Sequence, residues 1–564
     1  MRKRGLSPSS AGAVIAAMLV LGACSRGSDE APGRAETADG AARATCDVAS
    51  VQSVVPADTT IFAADTLDTP VPHCRIEGYV TTTNPGPNRN NFRLQLPARE
   101  LWEGRYYFIG LGGSAGYVPT DSQLPRGNPM VKGFAVAGTD TGHTAHLLDW
   151  GFLADAAQAM DHIHRGAHVV AVATQQITRA YYGTDTLHRY HSGCSGGGRM
   201  GSEAIQRYPE DFDGVLIGGN AGLHRLRPGS PRWADWANFV SMVREMTREP
   251  GSWLSPAKLK FAEEKVTAAC DMTDGVRDDV IWDHRRCAFD FKTLKCAAGD
   301  APDCLTQPEI TSIENLLRDT RMPISNMGDW TFLGAVPPPW DPTPSVENMP
   351  HTSAALVILT TWARTYLNQP DRDIVAQPLT DAEIETMGAV QKQVGFSAPV
   401  NPDLEGIEAA GTKIIFWNGV SDSCCSNVSL EESYVDLAQT RNGDLSRVAE
   451  FAKLYHIPGM AHCGGGTGPD DAPDQLLQAL IEWVEQGRAP GAVETHRGND
   501  RVTPIFAAAH APAESGVLIP VAGGASRDFL ICPFPQVSVF DASQADVPGA
   551  VHQAEHWTCR MPGE

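Results

Sequence analysis

Short apolar runs alternate with segments of helical periodicity over about residues 100–225 of the chain. Residues 106–111 and 133–137 are apolar and end at turn-forming sequences, which is typical of buried strands that each lead into a loop. Before a third apolar run at residues 215–217, hydrophobic positions recur at helical spacing over residues 169–180, which predicts a helix. Strands that alternate with helices predict a mostly parallel sheet.

This alternation is interrupted over residues 224–405, where tryptophan, proline and cysteine are frequent and the helical segments are short. Apolar runs typical of buried strands resume at residues 412–417 and 451–455. We therefore predict an α/β fold with a core in two parts, residues 45–223 and 406–564, separated by a large insertion. An insertion over the C-terminal ends of parallel strands often covers a pocket.

The N-terminal segment has the pattern of a targeting signal. Residues 2–4 are basic, and residues 11–23 are an apolar run of 13, too short for a membrane-spanning helix but typical of a secretory signal. The run ends Leu-Gly-Ala before Cys24, which resembles the bacterial lipoprotein cleavage box, where the cysteine is lipidated. We predict a lipoprotein-type signal peptide at residues 1–24 and a flexible tether at residues 25–44. The alternative is an ordinary signal peptide with a chance cysteine.

Either signal exports the protein, to the periplasm, the outer membrane or the extracellular space.

The chain has 564 residues, with 67 acidic against 45 basic side chains, and a net charge of −22. Its 42% hydrophobic and 20% charged content is ordinary for a soluble globular protein and excludes disorder. Nucleic acid is excluded as the main partner, because phosphate binding needs a basic surface. We expect membrane contact only through an N-terminal lipid anchor.

Thirteen cysteines are present, and setting Cys24 aside leaves twelve, an even number that suits disulfides in an oxidising compartment. Close spacing favours three local bridges: Cys270 with Cys287, Cys296 with Cys304, and Cys532 with Cys559. We also predict that Cys46 and Cys74 are disulfide-bonded. Zinc is the alternative, but the chain has no Cys-x-x-Cys pair, which argues against it. His462 beside Cys463 is the pair of possible zinc ligands that needs another explanation.

Residues 193–197 read Gly-Cys-Ser-Gly-Gly and match Gly-x-Ser-x-Gly, the nucleophile elbow of α/β-hydrolases. Glycines are needed because the serine sits on a tight strand-to-helix turn in which neighbouring side chains would clash. Tyr190 precedes the motif, and residues 199–208 predict a helix after it, so Ser195 has the expected context. An incidental glycine turn is the alternative. We predict a catalytic Ser195 in an α/β-hydrolase core with a large inserted lid domain.

A serine nucleophile needs a histidine base and an acid that orients it, in the chain order serine, acid, histidine for this fold class. Asp422 follows the predicted strand at residues 412–417, and His462 follows the strand at residues 451–455. Both lie in loops at strand ends, from which they could reach Ser195. A single aspartate is more often a turn former and a single histidine a packing residue, but the three together predict a catalytic triad.

The residues around this triad form a further pattern: Cys194-Ser195, Asp422 and His462-Cys463. It resembles the mark of the tannase and feruloyl esterase family, and residues 138–143 and 207–214 extend the resemblance, which covers about residues 45–564. Relatives include bacterial enzymes that hydrolyse mono(2-hydroxyethyl) terephthalate. The resemblance implies a serine esterase for small feruloyl-, galloyl- or terephthaloyl-type esters, acting through an acyl-enzyme on Ser195.

The resemblance also implies a disulfide between Cys194 and Cys463, which would tie the nucleophile turn to the histidine loop. The backbone N–H of Gly196, the residue after the nucleophile, should be one donor of the oxyanion hole. By resemblance the second donor is Gly113, in the glycine-rich segment at residues 110–116. A plain tight turn is the alternative for that segment.

Residues 270–280 carry several carboxylates around a glycine, a pattern that suits a hard, oxygen-binding cation. The segment is not an EF-hand, because its spacing differs and no glutamate closes it. Relatives bind calcium in the corresponding lid loop. The implied ligands of a structural Ca²⁺ are the side chains of Asp271, Asp274 and Asp278 and the backbone oxygens of Val276 and Val280. The alternative is an acidic, solvated turn closed by a disulfide.

Cys424 and Cys425 depart from the family pattern. They could form a vicinal disulfide, which would strain the loop that carries Asp422, or remain two free thiols. Two other functions stay open at this stage. One is a general carboxylesterase of another specificity, and the other is a non-catalytic, calcium-stabilised surface lipoprotein, against which the complete triad argues.

Overall fold

A computed structural model describes most of the chain, namely residues 43–119, 129–146, 148–219, 234–320, 354–393, 404–498, 502–503, 519–520 and 526–563. Cys24, the predicted signal peptide and nearly all of the predicted tether lie outside the described residues. The strands are β1 Thr59–Leu67, β2 His73–Thr82, β3 Asn88–Pro97, β4 Arg105–Gly110, β5 Phe134–Thr139, β6 His188–Cys194, β7 Gly214–Gly218, β8 Lys413–Gly419, β9 Ala452–Ile457, β10 Val493–Arg497, β11 Val502–Thr503, β12 Ile519–Pro520, β13 Arg527–Ile531, β14 Val537–Phe540 and β15 Trp557–Arg560.

Nine strands form one large sheet in the order β1-β2-β3-β5-β4-β6-β7-β8-β9. All pairs from β5 through β4 to β9 are parallel, which confirms the predicted parallel sheet, and strand ends differ from the predicted ones by at most two residues. Strands β1, β2 and β3 extend the sheet in antiparallel fashion and were not predicted. Buried and half-exposed residues alternate along β2, so this strand lacks the continuous apolar run that marks the central strands.

The helices are α1 Val48–Gln52, α2 Ala156–Met160, α3 Gly166–Tyr182, α4 Gly196–Arg207, α5 Ala234–Thr247, α6 Pro256–Cys270, α7 Gln307–Thr320, α8 Ala354–Tyr366, α9 Asp381–Gln393, α10 Glu405–Ala410, α11 Asn427–Gln439, α12 Leu445–Val448 and α13 Ala472–Gln486. The predicted helix over residues 169–180 lies inside α3, and the helix predicted after Ser195 is α4, which begins three residues earlier than expected. Within the described part of the chain, no helix is long and apolar enough to cross a bilayer.

Consecutive side chains of the central strands face two different apolar layers. Tyr106 and Phe108 of β4 pack in a core shared with α3 and α4, whereas Tyr107 and Ile109 pack in a core shared with α13. Helices therefore cover both faces of the parallel strands, which is the arrangement of an α/β fold. The C-terminal ends of β6, β8 and β9 meet at one edge of the sheet, where ligand sites of such folds form.

The segment predicted as a lid builds an apolar core of its own from α5, α6, α7, α8 and α9. Trp150 and Ile163 join this core from the preceding part of the chain, and Cys424 and Cys425 join it from the loop after β8. The lid core thus reaches the loop that carries Asp422. Within the lid, helix α6 begins after Ser255, whose hydroxyl accepts a hydrogen bond from the Lys258 amide at 3.3 Å.

Candidate active site

Ser195 lies at the turn between β6 and α4 and has φ 60° and ψ −120°, a conformation that residues with a side chain rarely adopt. Two backbone hydrogen bonds hold it: the Ser195 amide donates to Gly218 O at 3.0 Å, and the Arg199 amide donates to Ser195 O at 2.8 Å. The strained turn raises Ser195 out of the sheet edge, as expected of a nucleophile elbow. The serine is half-buried.

The flanking glycines are required by close backbone packing. A β-carbon on Gly193 would lie 2.6 Å from the Gly197 carbonyl carbon, and one on Gly197 would lie 2.3 Å from Gly110 O. Real β-carbon contacts are essentially never this short. The close approach of β6, α4 and the end of β4 therefore depends on glycine at these positions.

The predicted oxyanion-hole residues lie next to each other in the structure. A β-carbon on Gly196 would lie 2.2 Å from Gly113 O and 2.9 Å from Gly113 N, so the two backbones are in close contact beside Ser195. Gly113 itself has φ 57°, in the left-handed region that favours glycine. The turn after β4 is thus brought against the start of α4.

Asp422 and His462 form a buried hydrogen-bonded pair at the ends of β8 and β9. His462 Nδ1 lies 2.9 Å from Asp422 Oδ2, and the two residues are 3% and 0% exposed. The other carboxylate oxygen, Oδ1, accepts hydrogen bonds from the amides of Cys424 at 2.8 Å and Cys425 at 3.0 Å. The acid is thus held by the backbone of its own loop.

The electrostatics of this pair raise the proton affinity of the histidine. Burial by itself lowers the pKa of His462, but the Asp422 carboxylate and the hydrogen bonds to Asp422 and Cys425 outweigh it, so the pKa lies well above its usual range. With Nδ1–H directed at Asp422, Nε2 is the nitrogen that can accept a proton. This is the arrangement of base and orienting acid in serine hydrolases.

A disulfide between Cys194 and Cys463 connects the residues adjacent to Ser195 and His462, with a Cα–Cα distance of 5.8 Å. The two cysteines are 269 residues apart in the sequence, and the predicted lid lies between them. Gly219, with φ 48°, lies beside it, and a β-carbon there would be 2.8 Å from Cys194 Sγ and 3.2 Å from His462 Cε1. The sequence analysis did not single out Gly219, whose only signal is its position directly after β7.

The other predicted disulfides are also present: Cys46–Cys74, Cys270–Cys287, Cys296–Cys304 and Cys532–Cys559. Cys424 and Cys425 are buried and not disulfide-bonded, so of the two alternatives for this pair the structure has the reduced thiols. Their sulfur atoms lie 3.3 Å apart. Five disulfides in one chain are typical of an exported protein.

The acidic loop of residues 270–280 begins at the end of α6, and hydrogen bonds from its backbone amides to its own carboxylates hold its shape. Asp274 Oδ1 accepts from the Val276 amide at 2.9 Å, and Asp271 Oδ1 accepts from the Asp278 amide at 3.0 Å. Asp274 Oδ2 is buried and has no hydrogen-bond partner among the described residues. Burial raises the pKa of Asp274 to about 7, and the carboxylates of Asp278 and Asp271 add to the shift. A buried carboxylate oxygen without a partner fits a cation site.

Asp278 has a further partner that the sequence analysis missed. Its Oδ1 accepts from the Val280 amide at 3.1 Å, and its Oδ2 accepts from Arg527 Nη2 at 2.7 Å and from Trp282 Nε1 at 3.1 Å. Arg527 belongs to β13, so this ion pair ties the acidic loop to the C-terminal part of the core. Nothing in the spacing of the sequence connects these two positions.

An elbow serine, a buried histidine–aspartate pair and two glycine backbones in contact beside the serine, all on a parallel sheet, define a serine hydrolase of the α/β-hydrolase class. The family model described as "Tannase and feruloyl esterase" matches residues 74–559, and the chain belongs to the tannase and feruloyl esterase family. It is therefore a carboxylic ester hydrolase that acts on small ester substrates.

Known proteins resemble the chain over most of its length. A probable feruloyl esterase B of Aspergillus clavatus is 28% identical over 435 residues, covering 74% of this chain and 77% of that protein. An esterase from Aspergillus oryzae has a similar fold, with a TM-score of 0.71 and 20% identity over 91% of this chain and 99% of the other. The structure of feruloyl esterase B from the same species matches with a TM-score of 0.69 and 21% identity. This match covers 90% of this chain and 98% of the other.

Proposed function

We propose that this protein hydrolyses carboxylic esters of aromatic acids, of the feruloyl, galloyl or terephthaloyl type, through an acyl-enzyme on Ser195. The observation that carries the proposal is the elbow geometry of Ser195, joined through the Cys194–Cys463 disulfide to the buried His462–Asp422 pair. The aromatic acid rests on family membership and on the names of relatives such as feruloyl esterase B.

In the first half of the reaction, Ser195 Oγ attacks the ester carbonyl carbon while His462 Nε2 accepts the hydroxyl proton. Asp422 stabilises the imidazolium ion that forms. The negative charge on the former carbonyl oxygen would be stabilised by the backbone N–H groups of Gly196 and Gly113, whose backbones are in close contact. The ester C–O bond then breaks, and the alcohol leaves with the proton from His462.

In the second half, His462 takes a proton from a water molecule whose oxygen attacks the acyl carbon. The bond between Ser195 Oγ and the acyl group breaks, Oγ recovers the proton from His462, and the carboxylic acid leaves. Each residue therefore returns to its starting protonation state.

The test is hydrolysis of methyl ferulate, methyl gallate, a terephthalate monoester and 4-nitrophenyl acetate by wild type and by Ser195→Ala. We expect turnover of at least one aromatic ester by wild type and none by the variant. Ser202→Ala is the matched control, because Ser202 lies on α4, the helix that follows Ser195, and its buried hydroxyl has no hydrogen-bond partner among the described residues. Turnover of 4-nitrophenyl acetate alone would assign a general carboxylesterase, and equal rates in wild type and Ser195→Ala would reject the mechanism.

We also propose that the acidic lid loop holds one structural Ca²⁺. The side chains of Asp271, Asp274 and Asp278 and the backbone oxygens of Val276 and Val280 would be its ligands. The buried, unpartnered Oδ2 of Asp274 supports the proposal, because a divalent cation would compensate that charge. The ion would neutralise the loop and has no part in the ester chemistry.

We further propose that Cys24 carries a lipid, which would anchor the exported enzyme to a membrane. Mass spectrometry of the N-terminal peptide and fractionation of wild type against Cys24→Ala test it. An unmodified Cys24, or equal release of both proteins, would leave the ordinary signal peptide as the explanation.

A further inference from the structure

The thiols of Cys424 and Cys425 have no evident role in the triad. The loop holds Asp422 Oδ1 through the backbone amides of these two residues, which almost any residue would supply. Their side chains are 6% and 2% exposed and point into the interior. Of the cysteines that the structure describes, these two alone are outside disulfides. A second thiol beside the first is therefore a feature that the ester chemistry leaves unexplained.

The two thiols lie within a compact group of metal-binding atoms. One sulfur each from Cys424 and Cys425, a ring nitrogen of His462 and a carboxylate oxygen of Asp422 all lie within 4.8 Å of one another. All four residues are buried. In a tetrahedral zinc site the ligand atoms are about 3.3–3.8 Å apart, given Zn–S and Zn–N bonds of about 2.3 and 2.1 Å. Small side-chain movements would therefore close this group around one ion.

The donor set selects the class of ion. Two sulfur ligands and an imidazole favour thiophilic divalent cations such as Zn²⁺ and Cd²⁺, whereas Ca²⁺ prefers oxygen. Cys425 Sγ donates a hydrogen bond to Gly219 O at 3.0 Å, so the thiol is held next to the glycine that packs against His462. An ion at this position would be bound by four buried donor groups rather than at an exposed surface.

We propose that Cys424, Cys425, His462 and Asp422 form an inhibitory binding site for one thiophilic divalent cation. On binding, the two thiols and the ring nitrogen of His462 that meets the ion release their protons to solvent. Two thiolates, a neutral imidazole and the Asp422 carboxylate are then the four ligands. The ion then occupies the base and its orienting acid, so ester hydrolysis stops. This catalytic consequence rests on the proposed function, but ion binding does not.

Binding is tested first in a protein without activity. Cd²⁺ is titrated into metal-free Ser195→Ala, and the ultraviolet charge-transfer band of Cd²⁺–thiolate bonds is recorded. We expect a band that saturates at one Cd²⁺ per chain and is absent from Ser195→Ala with Cys424→Ser and Cys425→Ser. The acidic lid loop has no thiolate, so Cd²⁺ bound there gives no such band. Ser195→Ala with Cys296→Ser and Cys304→Ser, which loses a different cysteine pair, should keep it.

Inhibition is then measured with Zn²⁺ on the active enzyme, each protein relative to its own rate without zinc. The Cys424→Ser/Cys425→Ser variant should need at least about 100-fold more Zn²⁺ for half-inhibition than wild type, because loss of two thiolate ligands weakens binding. The proposed metal site would be rejected if the Cd²⁺–thiolate band were missing. It would also be rejected if titration of the unreduced, denatured protein found no free thiols. Equal zinc sensitivity of both proteins would overturn its effect on catalysis. Absence of all esterase activity would instead reject the proposed function, with the Cd²⁺ band still deciding the site.

Discussion

His462 Nδ1 lies 2.9 Å from Asp422 Oδ2, and neither side chain is more than 4% exposed. The two residues come from the loops after neighbouring parallel strands, β8 and β9. Because water is excluded, the carboxylate acts strongly on the imidazole and sets both its orientation and its protonation. This relationship leads to the first two predictions.

Asp422→Asn should lower kcat by about 10⁴-fold with little change in folding, because the amide can favour the wrong imidazole tautomer and carries no charge. The asparagine oxygen can still accept from the amides of Cys424 and Cys425, so the loop should keep its shape. Steady-state kinetics and a melting curve measure the two effects. Asp371→Asn, an exposed substitution in the lid, is the control and should match wild type. A loss of less than tenfold in Asp422→Asn would argue against the assigned acid.

Hydrolysis should be lost as the pH falls, because His462 must be neutral to accept the serine proton. Its pKa lies above 6.5, the ordinary histidine value, so the midpoint of the acidic limb of kcat/KM should lie above that pH. In Asp422→Asn the charge is gone while burial persists, so the midpoint should move downwards. Rates from about pH 5 to about pH 10 cover both limbs. An identical midpoint in both proteins would assign the titration to another group.

Gly219→Ala should lower kcat, with only a small loss of folding stability. The new methyl group would meet Cys194 Sγ at 2.8 Å and the His462 ring at 3.2 Å, displacing the base from Ser195. Gly411→Ala is the matched control, because Gly411 has φ 76° but no atom within 4 Å of its added β-carbon. Both variants should lose about 1 kcal/mol of stability from backbone strain. Only Gly219→Ala should lose kcat, and equal kcat values in the two variants would contradict the packing argument.

Replacement of Cys194 and Cys463 together by serine should destabilise the protein by about 2–5 kcal/mol and reduce kcat. The disulfide closes a segment of 269 residues, so its loss adds much conformational freedom to the unfolded chain. The Cys296→Ser/Cys304→Ser variant opens a segment of only 8 residues and should lose less stability and no kcat. Chemical denaturation and kinetics on both variants test this. Full kcat in the Cys194/Cys463 variant would mean that the bridge only stabilises the fold.

Removal of calcium with a chelator should lower the melting temperature, and excess Ca²⁺ should restore it. At a Ca²⁺ concentration of 100 times the Kd, the stabilisation is about 2.7 kcal/mol. Asp274→Asn should abolish this response, because the variant loses the buried carboxylate without a partner. Asp290→Asn is the control: Asp290 is exposed and caps a short helix, a role that asparagine fills equally well. A melting temperature of wild type that ignores Ca²⁺ would reject the site.

Local rules explain how much of the fold and the site could be predicted. Buried parallel strands produce continuous apolar runs, so β4, β5, β7, β8 and β9 were recognised to within two residues. The Gly-x-Ser-x-Gly motif identified the elbow because its tight turn depends on neighbouring glycines. The edge strands β1 to β3 were missed, because a strand with one solvent-facing side alternates its residues instead.

The sequence by itself determined the parallel core, the elbow at Ser195, the order of the triad residues and the disulfide cysteines, since each depends on local backbone demands or on a recognisable pattern. Only the tertiary structure decided which distant groups meet: Gly219 beside His462, Arg527 on Asp278, and the thiols of Cys424 and Cys425 next to the base. These contacts arise because parallel strands deliver remote loops to one edge of the sheet, and the spacing of residues along the chain carries no record of that meeting.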